Sequence, residues 1–349
     1  MATIKLRDST CLGDFNRPYI VAEINTSHFG DIQLAKKMID QAKYVGCDCV
    51  KFQSWSAETL YSKTYYDENP IAKRFVKKFS FSKTELTEVA DYSRKSGIGF
   101  SSTPYSREEV DFLVEEGNIP YVKVASMDLN NYSYLGYIAR TGVPIVLSTG
   151  MSEMEEIRKA VETIEMEENN NICLLHCISI YPPETSTIRL KNILGLREEF
   201  PNYPIGFSDH SIGVEMATAA VALGACMIEK HFTLDKNYSD FRDHQLSADP
   251  QDMSSLVQRI KDISVLLGTG NKLPQASEKA IESAIRRSIV AKHDLPKDAR
   301  LSWDDITWIR PADGLPPGKE DLVLGKFLSK SIEMGELIVP EILYEKGNT

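Results

Sequence analysis

The sequence predicts a (β/α)8 TIM barrel followed by a small β-rich domain. Short β-rich runs alternate with helical patterns from Tyr19 to about Gly268, as expected of a parallel sheet built from βα units. No GxGxxG or GxxxxGK stretch occurs, so the usual phosphate-binding fingerprint of an open doubly wound sheet is missing and the closed barrel is favoured. After Gly268 the alternation stops and a different, turn-rich pattern begins.

Eight strand runs are expected in order: YIVAEIN from Tyr19, CVKFQSW from Cys49, IGFSSTP from Ile98, YVKVAS from Tyr121, PIVLSTG from Pro144, ICLLHCIS from Ile172, PIGFSDH from Pro204 and MIEKHFT from Met227. A helical pattern follows each. Three helix starts carry a capping-box pattern, Ser82 with Glu85, Ser106 with Glu109 and Ser152 with Glu155, which would satisfy first-turn amides. The 56–81 segment after the second run is too long for an ordinary βα connection and rich in aromatic and charged residues, so it is expected to be a lid over the strand ends.

The barrel is assigned to residues 1–268, a polar linker to 269–284 and the β-rich domain to 285–349, where SIVAKHDLPKDARLSWDDITWIRP leads to a loop holding Gly314, Pro316, Pro317 and Gly318. Within it HDLPKDARL and KSIEMGELI share a faint pattern that suggests an internal duplication.

With 349 residues the chain is long enough for one large core and one small one. Its N-terminus lacks the basic head and apolar stretch of a signal peptide, and no apolar run reaches membrane-spanning length, so a cytoplasmic protein with no membrane association is expected. Cys47, Cys49, Cys173, Cys177 and Cys226 fall in or beside apolar runs and read as reduced core thiols; no second pair follows Cys173 and Cys177 at zinc-ligand spacing. A net charge of −10 opposes general nucleic-acid binding but leaves room for a small anion held by local lysines.

Parallel barrel strands are buried on both faces and should be almost continuously apolar. These are not. Glu23 and Asn25, Lys51 and Gln53, Ser208 and His210, and Glu229 and His231 are pairs at i, i+2 spacing, each sharing one face near the carboxyl end of its strand, where barrel sites are built. Lys123, Ser126, Ser148 and Ser179 stand at the same level on further strands. Two lysines with hydroxyls from Ser102, Thr103, Ser126, Ser148 and Ser208 suit a phosphate or carboxylate. His210 and His231, from neighbouring strands, could share a divalent cation that polarises a carbonyl.

At these residues the sequence resembles the sialic acid (nonulosonic acid) synthase family, which condenses phosphoenolpyruvate with an N-acetylated mannosamine-type sugar. The carriers are AEINTSHFGDI from Ala22, VKFQSW from Val50, FSSTPYS from Phe100, YVKVAS, VLSTGM from Val146, LLHCISIYP from Leu174, GFSDHS from Gly206 and IEKHFTLD from Ile228. The tail, with RRSIVAKHDLPKDARL and WIRPADGLPPG, resembles that family's antifreeze-like SAF (β-clip) domain.

The resemblance implies that Lys51, Thr103, Lys123, Ser126, Ser148, Ser179 and Ser208 hold phosphoenolpyruvate and that His210 and His231 bind manganese or magnesium. It places Glu23, Asn25, Gln53, Tyr181 and Asp243 at the sugar, and Glu23, Lys51, Lys123, Glu229, His210 and His231 in catalysis. It also implies a domain-swapped homodimer in which Arg310 reaches the partner's sugar. The reaction implied is attack by carbon 3 of phosphoenolpyruvate on the polarised aldehyde, capture of carbon 2 by water and loss of phosphate through carbon–oxygen cleavage.

The chain departs from the family pattern at Ser27, before His28, at Phe29, and in KNYSDFRDHQLS, which keeps Asp243 and His244 but adds the bulk of Tyr238 and Phe241. Two other classes fit parts of the sequence: a Schiff-base aldolase using Lys51 or Lys123, and a non-catalytic carbohydrate- or ice-binding protein suggested by the tail alone.

Overall fold

A computed structural model describes residues 2–239 and 242–346, with Arg242 and Asp243 described by their backbone alone. The chain divides into two compact units, Met1–Gly268 and Thr269–Thr349.

The first unit opens with a hairpin the sequence reading did not include: β1 (Thr3–Lys5) pairs antiparallel with β2 (Cys11–Gly13). The barrel strands are β3 (Tyr19–Glu23), β4 (Cys49–Gln53), β5 (Gly99–Thr103), β6 (Val122–Val124), β7 (Ile145–Ser148), β8 (Ile172–Cys177), β9 (Ile205–Asp209) and β10 (Met227–His231). All pairing is parallel, in the order β5-β4-β3-β10-β9-β8-β7-β6. The ends of this ladder meet where Ser101 Oγ donates to the Tyr121 carbonyl at 3.3 Å. Each strand stops one or two residues before the end of its predicted run, because the chain there leaves the ladder to form the loops of the site.

Strand alternation sorts the barrel into two columns. The outward residues, such as Ile20, Val50, Phe100, Val122, Ile145, Leu174, Phe207 and Ile228, join the large core beneath the helices. The inward column begins apolar: Tyr19, Val21, Cys49, Tyr121, Val146, Cys173, Leu175 and Met227 form a second core with Ile4, Leu6 and Leu12 of the hairpin segment. The hairpin therefore plugs the amino-terminal end of the barrel, and the polar residues are left to the other end. Gly206 belongs to this packing, since a Cβ there would lie 2.5 Å from Leu175 Cδ2.

Helix α1 (Ile32–Val45) follows β3, capped by Asp31 and ended by Gly46 at φ 96°, a left-handed conformation that glycine adopts without strain. The 56–81 insert folds into α2 (Ala57–Leu60), α3 (Lys63–Glu68) and α4 (Pro70–Phe79). Then come α5 (Lys83–Ser96), α6 (Arg107–Glu115), α7 (Tyr132–Ala139), α8 (Met154–Glu165), α9 (Asn192–Glu199), α10 (Glu215–Ala222), α11 (Arg242–Leu246) and α12 (Pro250–Leu266).

The capping box of Ser82 and Glu85 forms as predicted. Ser106 caps α6, but the Glu109 carboxylate accepts from the Tyr105 amide, one residue outside the expected partner. At α8 the box is shifted by one residue to Glu153 and Glu156, since Ser152 is spent on the Gly150 carbonyl.

The second unit begins with polar residues and a helix, α13 (Ala276–Ile285), so much of the predicted linker is helical. Here β11 (Ser288–Ala291) pairs with β12 (Ile306–Ile309) and β13 (Phe327–Leu328) with β14 (Leu343–Tyr344), both antiparallel. Ile289, Leu295, Leu301, Ile306, Val323, Leu328, Ile332 and Ile338 form its core. Among the described residues no helix is long and apolar enough to cross a membrane. The six cysteines are free, and all but Cys11 are buried.

Candidate active site

The inward columns of the barrel end in a cavity of about 520 Å³ at the carboxyl ends of the strands, a size suited to small-molecule substrates. Its lining includes Glu23, Asn25, Lys51, Gln53, Thr103, Lys123, Ser126, Ser148, Ser179, Tyr181, Ser208, His210, Glu229 and His231. The i, i+2 rule works here because every inward residue toward a strand's end shares one face. Asn25 lies beyond the end of β3 at φ 45°, so its place in the lining depends on a turn and not on strand alternation.

At the floor Lys51 forms an ion pair with Glu23, donates to Thr103 Oγ1 at 3.1 Å and lies 3.8 Å from Glu229. Lys123 donates to Ser148 Oγ at 2.8 Å and lies 3.9 Å from the other oxygen of Glu229. Ser208 Oγ donates to Glu229 at 2.9 Å.

Burial sets the charges apart. It lifts the Glu23 carboxyl to about 7, with Lys51 only partly opposing. Burial also acts to raise Glu229, but Lys123, Lys51 and Ser208 outweigh it and hold this carboxyl below its ordinary range. Burial would lower Lys51, yet Glu229 and Glu23 prevail and keep it firmly charged, whereas Lys123 comes out below the ordinary lysine value because burial dominates. Two carboxyls in one basin with opposed protonation tendencies can divide acid and base roles between them.

One side of the basin is a cradle. Ser126 Oγ accepts from the Gly150 amide at 3.0 Å and sits 3.1 Å from Cys177 Sγ. A Cβ on Gly150 would collide with Ser179 Oγ, Cys177 Sγ and Ser126 Oγ, so the absence of a side chain holds these groups close. With Lys123 and Ser148 beside it, the cradle presents hydroxyl and ammonium donors suited to an anion.

On the other side His210 donates through Nδ1 to the Ile178 carbonyl at 2.7 Å, which leaves Nε2 facing the basin. Its ring stacks on Tyr181 at 4.1 Å and lies 5.4 Å from the ring of His231. His231 Nδ1 is buried with no hydrogen-bond partner. Burial lowers the pKa of both rings, keeping them neutral. Two neutral imidazoles, one with an orphaned nitrogen, are donors of a kind that suits a divalent cation, and among the described residues no third His, Cys, Asp or Glu completes a protein-only ligand set with them, so the pair would leave open positions for substrate or water.

The mouth is apolar. Leu60, Tyr61, Phe75, Val76 and Phe79 of the insert line it with Trp55, Met127 and Met151, as the predicted lid requires.

Several predictions fall elsewhere. Ser102 points outward and lies 2.5 Å from Ser54 Oγ, so it is not a basin hydroxyl. His28 is buried away from the lining, accepting from the Gly30 amide and stacked on Phe81, while Phe29 packs on Phe79, Tyr238 and His244. Phe241 and the side chain of Asp243 lie outside the described residues. Arg310 belongs to the second unit and is exposed at the end of β12.

Sequence reasoning passed over Tyr105, which lines the cavity and donates to Gln53 Oε1 at 3.1 Å, while Gln53 Nε2 donates to Glu23 at 3.2 Å. The signal was its position two residues past the end of β5. Cys177, expected in the core, lines the cavity instead, following the inward parity of Cys173 and Leu175.

An eight-stranded barrel whose strand ends converge on an ion-paired, donor-rich basin defines a (β/α)8-barrel enzyme acting on small anionic and hydroxylated substrates. The chain belongs to the NeuB family, which it matches over residues 38–272, and residues 286–343 match the SAF domain. It is 39% identical to an uncharacterised protein of Methanocaldococcus jannaschii, over 97% of this chain and 98% of that one. It is 36% identical to the N,N'-diacetyllegionaminic acid synthase of Legionella pneumophila, over 93% and 94% of the two chains. Among solved structures it resembles the N-acetylneuraminic acid (sialic acid) synthetase of Leptospira borgpetersenii serovar Hardjo-bovis, crystallised with citrate. The TM-score is 0.73 at 33% identity, covering 80% of this chain and 95% of that one.

Proposed function

We propose that the enzyme condenses phosphoenolpyruvate with the open-chain aldehyde of an N-acylated, mannosamine-type sugar, giving a nonulosonic acid of the N-acetylneuraminate or legionaminate kind and inorganic phosphate. The observation that carries this reading is one basin holding two buried lysines, a hydroxyl cradle and an acid–base pair of glutamates beside two neutral histidines.

Phosphoenolpyruvate would lie across Lys51, Thr103, Lys123, Ser126, Ser148, Ser179 and Ser208, with the lysines balancing carboxylate and phosphate and the hydroxyls fixing orientation. The sugar would lie against Glu23, Asn25, Gln53, Tyr181 and Asp243, its aldehyde toward the histidines. His210 and His231 would hold manganese or magnesium. When bound, such a cation supplies Lewis-acid polarisation of a carbonyl oxygen.

As the bond between carbon 3 and the aldehyde carbon forms, the aldehyde oxygen needs a proton, which Glu23, hydrogen-bonded through Gln53 to Tyr105, would give. Glu229, kept ionised, stabilises positive charge developing at carbon 2 and can accept a proton from the water that adds there. As the bond between carbon 2 and the phosphate oxygen breaks, the carbon 2 hydroxyl becomes the keto group and its proton leaves with phosphate, and return of the proton from Glu229 to Glu23 would reset the enzyme.

The apolar lid would close over the N-acyl and distal parts of the sugar, keeping bulk water from the cationic carbon. The enzyme would act as a cytoplasmic, domain-swapped homodimer in which Arg310 of each chain serves the partner's sugar.

The test is a panel of acceptors (N-acetylmannosamine, its 6-phosphate and a 2,4-diacetamido-6-deoxy hexose), each with phosphoenolpyruvate and manganese in oxygen-18 water. A turned-over sugar, with the label in the keto acid and absent from phosphate, is expected. Label in phosphate would overturn the mechanism, and sugar binding without phosphate release would favour a non-catalytic binding protein. Borohydride trapping of a covalent lysine adduct, with activity indifferent to chelator, would favour the aldolase.

A further inference from the structure

Every outward residue of the eight barrel strands faces the core under the helices, and the only charged ones among them are Asp209 and Lys230. They are register partners on adjacent strands and both are buried, with Asp209 Oδ2 and Lys230 Nζ 3.0 Å apart. Phe207 and Ile228 precede them on the same face, so the pair is immersed in apolar side chains. Stability alone does not account for such a pair, because well-packed apolar residues in its place are often as stable or more so.

The remaining contacts show what the pair holds. Asp209 Oδ1 accepts from the Ser211 amide at 2.9 Å and from Ser211 Oγ at 2.6 Å, and Lys230 Nζ donates to the Ser211 carbonyl. His210 is the residue spanned by the Asp209–Ser211 tie. Lys230 lies between Glu229 and His231, whose side chains face the basin.

We infer that Asp209 and Lys230 are positioning residues: an ionic clamp on the outer face of the barrel that fixes His210 relative to His231 and so sets the spacing of the cation's two imidazole donors. The inference rests on the proposed metal site. A partner behind a ligand that fixes its orientation commonly governs metal affinity by about tenfold or more.

The experiment is manganese titration calorimetry on the full chain, with steady-state kinetics alongside. Asp209→Leu combined with Lys230→Met removes both charges and leaves no buried ion alone. This double variant is expected to keep its far-ultraviolet circular dichroism and bind manganese about tenfold or more weakly. Its KM for phosphoenolpyruvate should stay near the parent's, since most of the proposed anion donors lie on other strands. A folded double variant with the parent's manganese affinity would overturn the clamp.

Should the double variant not fold, Ser211→Ala removes only the hydroxyl tie. A weaker manganese affinity is expected there too, and unchanged affinity overturns the inference equally. His210→Ala and His231→Ala separate the two levels. If the parent binds no manganese, or these variants bind it as the parent does, the metal site itself falls and takes the clamp with it. If binding needs both histidines yet ignores the clamp variants, only the clamp falls.

Discussion

Gly150 is the residue whose missing side chain the site uses most directly. It lies just past β7, and a single methyl there would push into Ser126, Ser179 and Cys177 together. Gly150→Ala is therefore expected to raise KM for phosphoenolpyruvate about tenfold or more, by splaying the hydroxyl cradle, with a loss of stability of about 1–3 kcal/mol from the overpacking. Substrate-saturation curves on the folded variant measure it, and an unchanged KM would remove the cradle from the anion site.

His28 makes a different prediction, about stability. Burial between Phe52 and Phe81 lowers its pKa to about 4, despite opposing help from the Asn25 carbonyl and Asp31. The unfolded chain, with an ordinary value near 6.5, takes up a proton at higher pH than the folded one does. The contribution is thus fully present above about pH 6.5 and is lost as pH falls toward 4, amounting to about 3 kcal/mol at the lower end. Urea unfolding at several pH values should show this slope, and His28→Asn, which keeps an acceptor for the Gly30 amide, should flatten it.

These two residues mark what single positions reveal in a sequence. The polar side chains of the basin were legible because charge interrupts strands that should be apolar. The packing role of His28 was not, because a histidine beside a site motif looks the same whether it faces a substrate or a phenylalanine.

At the scale of elements, the barrel was legible from one regularity, alternation, which sorts each strand into an outward apolar column and an inward column that turns polar at one end. The plug was not: β1 and β2 have three residues each, too few to show a period. Nor could the sequence reveal that Ser152 would bond backward to Gly150 and leave the capping box to its neighbour Glu153.

The faint repeat in the tail has a physical basis. Leu295 and Ile332 pair with each other antiparallel, the matching Leu301 and Ile338 share one core, and Asp298 and Gly335 both adopt positive φ at the equivalent turn position, 64° and 85°. Only backbone conformation and two apolar positions per copy are repeated, which is why the likeness is weak. Gly335→Ala should destabilise the protein by about 1 kcal/mol, since a Cβ is strained there whatever the surrounding space. Asp298→Ala should cost a similar amount, through loss of the bond from Tyr344 OH, without relieving the same strain. Chemical denaturation of both variants checks the equivalence of the two turns.

The whole molecule raises a question that neither unit answers by itself: whether the proposed sugar site takes its Arg310 from the same chain or from a partner. Two variants, one inactive and one impaired toward the sugar, decide it. Lys51→Met removes the floor cation that pairs with Glu23, so its own barrel cannot turn over. Arg310→Ala leaves the basin intact and is expected to weaken use of the sugar about tenfold or more, with KM for phosphoenolpyruvate unchanged, as loss of a charged contact to one substrate should.

When the two variants are unfolded together and refolded as an equal mixture, half of the dimers carry one chain of each. In a swapped dimer each mixed pair contains one barrel with Lys51 served by an intact Arg310 and one site bearing both lesions. About a quarter of all sites are then whole, and activity with the sugar should rise well above that of either variant alone. If Arg310 acts within its own chain, every site keeps a lesion and mixing restores nothing. A protein that sediments as a monomer while Arg310→Ala still loses sugar affinity would reject the swap and keep the contact. Restored activity accompanied by dimers would assign each active site to two chains, with the barrel supplying the chemistry and the partner's tail helping to choose the sugar.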